Sequence, residues 1–201
     1  MTGVTELAVD TLRDPKAVAQ RIIGWHLDRQ TLYVALFAVA AINTLLASAP
    51  IVLVPGSIDP EAQAAIPMLA LLERPFALFA IIAGGLLLMV HGLVWAGRAM
   101  GGQGDFTDML AVLTWLQALR AAAQALVLVL SLVFPAVAGL VALVVAGVAF
   151  WLLLHFISAA LRFDSLFRAF GLLIAVLAGL FIGMMLIVTL TGVTAGGFAN
   201  V

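Results

Sequence analysis

Three ionisable side chains, His91, Arg120 and His155, interrupt long apolar segments of this sequence. Placing such a side chain in the hydrocarbon core of a membrane costs about 2.5 kcal/mol or more, so it points to a functional site. No Asp or Glu lies within these apolar segments. Transporters coupled to protons or sodium usually use a carboxylate there. The pattern therefore argues against that class and favours binding of an anion or a lipid headgroup.

The spacing of the polar residues predicts that they share one cavity. Gln117, Arg120 and Gln124 are three and four residues apart, which places them on one face of a helix. His91 and His155 each precede an arginine by seven residues, or about 10 Å of helix, which puts both at one level of the bilayer. The predicted polar cavity is lined by Asn43, His91, Gln117, Arg120, Gln124 and His155.

Two simpler interpretations stay open for these residues. A neutral histidine can bond to a carbonyl across a helix interface and do nothing else. The long stem of Arg120 can carry its guanidinium back to the phosphate level of the membrane, so that Arg120 lines no cavity.

The sequence also suggests a weak internal repeat. The matched pairs His91–Arg98 and His155–Arg162 suggest that the second and third spans form a helical hairpin related to the one formed by the fourth and fifth.

Composition excludes several classes of function. The chain is 65% hydrophobic and only 9% charged, whereas a soluble domain is about a quarter charged. Its nine basic and ten acidic residues indicate no nucleic-acid partner. It has no cysteine, which excludes disulfides and thiolate sites. Without HExxH, GxSxG or paired acids on one helix, we expect no enzyme, no cofactor, no metal site and no catalytic residue.

The apolar segments predict an all-α membrane protein, a bundle of five transmembrane helices preceded by a short amphipathic interfacial helix. Each span needs about 20 apolar residues. The first thirty residues lack a signal peptide's apolar region and cleavage site. We expect a cytoplasmic segment over 1–30, a membrane domain over 31–192 and an extracytoplasmic tail over 193–201. The predicted spans are 31–54, 75–97, 109–134, 136–161 and 169–191.

Basic residues alternate between the gaps that separate the spans, and this alternation predicts the topology. Short loops rich in Lys and Arg stay in the cytoplasm. The N-terminus is therefore expected inside and the C-terminus outside. The basic residues on the inner side are candidates for binding lipid headgroups: Lys16, Arg21, Arg29, Arg98, Arg162 and Arg168.

The segment 15–29 has the pattern of the amphipathic helix. Asp14 can cap its start and Pro15 suits its first turn. Val18, Ile22 and Trp25 then recur at spacings of four and three. This helix would lie in the inner interface or pack on the end of the bundle.

The glycine-rich loop 101–104 lacks the Lys-Ser/Thr of a phosphate-binding loop. We expect it to end the second span and to let the third begin at a cap from Asp105 or Thr107.

Three features resemble bacterial members of the Yip (Ypt/Rab-interacting protein) family. They are the Asp14-Pro15 helix, the loop Met100-Gly-Gly-Gln-Gly-Asp-Phe106 and a fourth span that ends in a short loop with Arg and Ser. The resemblance covers residues 12 to 192. It implies five spans with a cytoplasmic N-terminus and, in bacteria, a protein of the plasma membrane.

Eukaryotic members of that family are associated with Rab-type GTPases and vesicle traffic. This chain lacks the Asp-Leu-Tyr-Gly-Pro motif associated with them, and Tyr33 is its only tyrosine, so GTPase binding is not expected. The first hypothesis is a non-enzymatic membrane protein that binds lipid headgroups or partner proteins, including other copies of itself, at its cytoplasmic face. The alternative is a small transporter or channel for an anion or lipid through the polar cavity.

Overall fold

A computed structural model describes residues 3–53, 69 and 72–190 of the chain. Within these residues it contains no strand and seven α-helices. Proline stands at the start of three of them, where its fixed φ suits the first helical turn and its missing N–H costs nothing. The helices are α1 Val4–Arg13, α2 Pro15–Ile23, α3 Arg29–Leu53, α4 Pro75–Ala99, α5 Phe106–Val133, α6 Pro135–Leu161 and α7 Leu166–Leu190.

The last five helices are long and apolar enough to cross a membrane, which confirms the five predicted spans. In α7 the part that is long and apolar enough to cross a membrane is Leu166–Leu186. Both α5 and α7 begin three residues earlier than predicted, because the helix continues into the polar residues that precede each apolar block. Positions 54 and 191 of the predicted spans and the tail 193–201 lie outside the described residues.

The amphipathic helix predicted over 15–29 is shorter in the structure, where α2 covers only the first part of that range. Asp14 caps α2 as expected, since its Oδ1 accepts a hydrogen bond from Ala17 N at 3.0 Å. However, α2 ends at Ile23, and the chain turns through His26, which has a φ of 48°. Val18 and Ile22 are buried, but Trp25 lies beyond the helix and is exposed. The preceding helix, α1, was not predicted.

A side-chain cap also begins α3. Asp28 accepts hydrogen bonds from Thr31, one from Oγ1 at 2.5 Å and one from the backbone N at 3.1 Å. The bond from the Thr31 hydroxyl, followed by the bond from the backbone, lowers the pKa of the Asp28 carboxyl below its ordinary value. The capping carboxylate therefore stays ionised and continues to satisfy the first turn of α3.

The helices pack most tightly at one end of the bundle. We call this the basic end; it is where α4 and α6 end, where α5 and α7 begin, and where α1 and α2 lie. On α5, residues 109–114 are all buried, whereas Leu126, Val129 and Leu132 nearer the other end are exposed. Exposed apolar residues of this kind suit contact with lipid, which is as apolar as they are.

Matching caps end α4 and α6 at the basic end. After α4, Gly101 has a φ of 85°, its N–H bonds to Arg98 O, and the N–H of Gly102 bonds to Gly97 O at 2.8 Å. This is a Schellman motif, and it confirms that the glycine-rich loop ends the helix. After α6, Arg162 takes the left-handed position with a φ of 57°, and Phe163 N bonds to Ser158 O at 2.8 Å.

The two capping loops are also packed against each other. Gln103 N donates to Leu161 O at 3.0 Å, and a Cβ on Gly104 would overlap the carbonyl of Ala160. These caps align Gly101 with Arg162. The repeat suggested by the sequence instead aligns Arg98 with Arg162, so the helix ends do not follow the register of that repeat.

Candidate functional site

A wide groove opens at the basic end, between α3, α4 and the start of α5. We call it the basic groove. It has a volume of about 580 Å³ and combines two arginines with aromatic and aliphatic walls. Its lining residues are Arg29, Tyr33, His91, Val94, Trp95, Arg98, Ala99 and Phe106.

Phe106, the first residue of α5, organises this groove. Its ring centre lies 5.8 Å from the guanidinium carbon of Arg29, within the range of a cation–π contact. The same ring lies 4.6 Å from the His91 ring and 6.2 Å from the Tyr33 ring, centre to centre. One aromatic side chain therefore positions a cation, an imidazole and a phenol contributed by α3 and α4.

Arg98 lies at the outer rim of the groove. Its Nη2 donates to Asp105 Oδ1 at 3.0 Å, and its Nε donates to Gly104 O at 3.3 Å. Asp105 was expected to cap α5, but its side chain makes no capping bond and pairs with Arg98 instead. The ion pair is more than half exposed, and an exposed pair contributes at most about 1 kcal/mol. An anionic ligand can therefore compete for Arg98.

Both intramembrane histidines are bonded within their own helices. His91 Nδ1 lies 2.8 Å from Leu87 O, and His155 Nδ1 lies 2.9 Å from Trp151 O. A carbonyl only accepts, so Nδ1 donates in each case. Each histidine therefore bonds to a carbonyl, as the simpler interpretation supposes. The carbonyl belongs to the same helix, however, and not to a neighbouring one.

Arg120 lies in a second groove, which we call the α1 groove, between α1, α5 and α6. Its volume is about 340 Å³, and among the described residues Arg120 is the only charged one that lines it. His91 and Arg120 therefore face two different grooves, and His155 lines neither. The other lining residues are Ala8, Val9, Leu12, Leu116, Leu119, Ala123, Val144, Val145, Val148, Ala149 and Leu152.

Of the remaining residues assigned to the polar cavity, Asn43 connects two helices, and the two glutamines line neither groove. Asn43 is buried and donates from Nδ2 to Val39 O at 3.0 Å and to the backbone carbonyl of Gln117 at 3.3 Å, which links α3 to α5. Its Oδ1 is buried and has no partner among the described residues. The side chains of Gln117 and Gln124 are half-buried on α5 and line neither groove.

The other basic residues surround the same end of the molecule. Arg21 pairs with Asp10 at 3.3 Å, which ties α2 to α1. Lys16, Arg162 and Arg168 are exposed. Within the described ranges, no group of three or more His, Cys, Asp and Glu residues is arranged to hold a metal ion.

Sequence reasoning missed Tyr33, Trp95 and Phe106. A signal for two of them was present, because Tyr33 follows Arg29 by four residues, and Trp95 stands between His91 and Arg98 at spacings of four and three. Those spacings place each set on one helical face. Phe106 carried no such signal, since it joins the groove only through the turn between α4 and α5.

Tryptophans mark the level of the basic groove relative to a bilayer. Trp95 is 79% exposed and lies about 30 Å along α4 from Pro75. Trp115 lies a similar distance along α5 from Phe134. A hydrocarbon core is about 30 Å thick, and Trp prefers its boundary. If α4 and α5 cross a bilayer, these distances put the basic groove near the boundary between acyl chains and headgroups.

Comparison with known proteins gives the chain a family. It matches the Yip1 domain over residues 9–187. The match covers most of its length, so the chain belongs to the Yip1 family and is a multi-pass membrane protein. No curated protein and no solved structure matches it.

Proposed function

We propose that this member of the Yip1 family is a non-enzymatic protein of a bacterial plasma membrane that binds the headgroups of anionic lipids. Binding takes place at the basic end, which faces the cytoplasm together with the N-terminus. The observation that carries the proposal is the basic groove, where Arg29 and Arg98 stand beside a lipid-facing tryptophan.

The chemistry of the groove matches the parts of a phospholipid. Guanidinium groups bind phosphate oxygens through short charge-assisted hydrogen bonds, and both arginines lie on the rim of this groove. Tyr33 and His91 add polar atoms below them, and Val94, Trp95 and Phe106 provide apolar walls for the glycerol and the first acyl carbons. The groove opens sideways toward lipid, so a ligand can enter from the membrane.

The other uses predicted for these residues have less support. A transport path through His91, Arg120 and His155 would require them to share a space, but His91 and Arg120 line separate grooves. A partner protein would more often use a flat surface with a central apolar anchor. Partner binding is therefore an outcome of the test below rather than the proposal.

Removing the two groove arginines tests the proposal. The purified protein is titrated with phosphatidylglycerol in neutral detergent, and bound lipid is counted by native mass spectrometry. We expect the double variant Arg29→Gln/Arg98→Gln to bind phosphatidylglycerol at least tenfold more weakly, because each charge-assisted bond is worth about 1.5–3 kcal/mol. Phosphatidylcholine, which has no net charge, should bind weakly to both proteins.

Arg74→Gln is the matched control. It removes one positive charge from an exposed residue at the opposite end of the bundle and should leave binding unchanged. Equal affinity in the wild type and the double variant would refute the proposal. Loss of a co-purifying protein from the double variant, with lipid binding intact, would indicate a partner-binding face instead.

A further inference from the structure

Helix α1 has three sides, and each suits a different environment. Leu7 and Thr11 face the protein and are buried. Glu6, Asp10 and Arg13 fall together on a second side, as expected at 100° per residue. Val9 and Leu12 fall on the third side and are 47% and 55% exposed. An exposed apolar side suits lipid better than water, so we place α1 at the membrane boundary.

The apolar side of α1 forms one wall of the α1 groove, and Arg120 of α5 also lines this groove. Arg120 makes no ion pair or hydrogen bond with any described residue. A guanidinium keeps its charge at any physiological pH, and an unpaired charge in apolar surroundings is costly. Arg120 is exposed in the groove, so its guanidinium is free to take an anionic partner there.

The depth of Arg120 identifies the source of that anion. Arg120 lies about 21 Å along α5 from Phe134. Since the hydrocarbon core is about 30 Å thick, Arg120 stands roughly two turns of helix inside the boundary at the basic end. Its stem can extend along the apolar wall to the phosphate level. A lipid phosphate is already at that level, and the apolar lining of the groove suits an acyl chain rather than a soluble anion.

We propose that the α1 groove binds one phospholipid, with its phosphate on Arg120 and one acyl chain along the walls formed by α5 and α6. The walls consist of Leu116, Leu119, Val145, Val148 and their apolar neighbours. The groove has a volume of about 340 Å³, and its described lining is apolar apart from Arg120. This site is separate from the basic groove and does not depend on the function proposed for it.

Two substitutions separate the parts of this site. Arg120→Gln removes the charge and keeps the polar stem. Ala149→Leu keeps the charge and fills the apolar groove that Ala149 lines. Native mass spectrometry with phosphatidylglycerol counts the lipids bound to each variant. We expect one bound lipid fewer, or about a tenfold weaker step, in each case. Arg120→Lys should retain most of the binding because the cation remains.

The controls distinguish this site from the basic groove. Arg29→Gln/Arg98→Gln should remove a different lipid and leave the lipid at Arg120 in place. A wild-type protein that binds one lipid, lost in Arg120→Gln and in Ala149→Leu but retained in Arg29→Gln/Arg98→Gln, would support the α1 groove and refute the basic groove. Unchanged binding in Arg120→Gln would overturn the present inference. Soluble glycerol phosphate that competes with phosphatidylglycerol for the site at Arg120 would also overturn it, as would lipid binding that survives Ala149→Leu. Either result would show that no acyl chain occupies the groove.

Discussion

Gly104 shows how strongly one residue can constrain the basic end. Its backbone lies so close to α6 that a Cβ would overlap the Ala160 carbonyl, and neither backbone can move aside easily. We expect Gly104→Ala to lower the free energy of unfolding by about 1–3 kcal/mol or more, since overpacking usually costs that much. Thermal unfolding in detergent measures the change.

Gly85→Ala is the matched control for that substitution. Gly85 lies inside α4, and a Cβ there would meet nothing within 4 Å. Alanine is the better helix former by about 1 kcal/mol, so this variant should be as stable as the wild type or more so. A Gly104→Ala protein that unfolds at the wild-type temperature would mean that the loops of α4 and α6 do not pack as described.

Individual residues also show what the sequence could and could not predict about the site. The spacing of Gln117, Arg120 and Gln124 correctly places them on one helix, but it carries no information about which neighbour faces them. Arg120 meets α1 and α6, while His91 meets Phe106. The hydrogen bonds of Asn43 depend on α3 packing against α5, which no local pattern predicts.

At the scale of elements, α1 was the helix that sequence reasoning missed. Periodicity identifies a helix when one side is apolar and the other polar. Helix α1 instead has a buried side, a charged side and an exposed apolar side, so its sequence does not divide into one apolar and one polar face. The start of α2 at Asp14-Pro15 could be predicted, because a capping residue and a proline act on the neighbouring backbone alone.

One polar contact holds α1 against α5, and it can be tested. Trp115 Nε1 donates to Thr11 Oγ1 at 3.1 Å, and Thr11 Oγ1 donates to Leu7 O at 2.7 Å. Thr11→Val keeps the shape and leaves the indole N–H without its partner, which costs about 1–3 kcal/mol. We expect amide exchange in α1 to become about tenfold faster, as measured by mass spectrometry.

The corresponding substitution on the exposed side of α1 is the control. Thr5 is exposed, so Thr5→Val should leave exchange in α1 unchanged. If Thr11→Val exchanged at the wild-type rate, the contact with Trp115 would contribute nothing to the docking of α1. Its apolar face alone would then hold it in place.

At the scale of the whole molecule, the five spans were predictable because lipid imposes one simple demand on composition. A span must be about 20 residues long and satisfy its own backbone, which only a helix can do here. The packing was not predictable in the same way. Apolar residues that face lipid and those that face another helix have the same composition, so only the structure separates Leu126 from Leu110.

The orientation of the bundle is the prediction that rests on the largest part of the chain. Arg13, Lys16 and Arg21 precede α3, Arg29 begins it, and three more basic residues lie at or near the ends of α4 and α6. The basic end should therefore face the cytoplasm. The chain has no native cysteine, and single cysteines can therefore report each side. A membrane-impermeant maleimide should label Ala136→Cys in intact cells. It should label Asp164→Cys only after the membrane is permeabilised. Both positions are exposed and stand at opposite ends of α6, so the reverse labelling pattern would invert the bundle and place both lipid grooves in the outer leaflet.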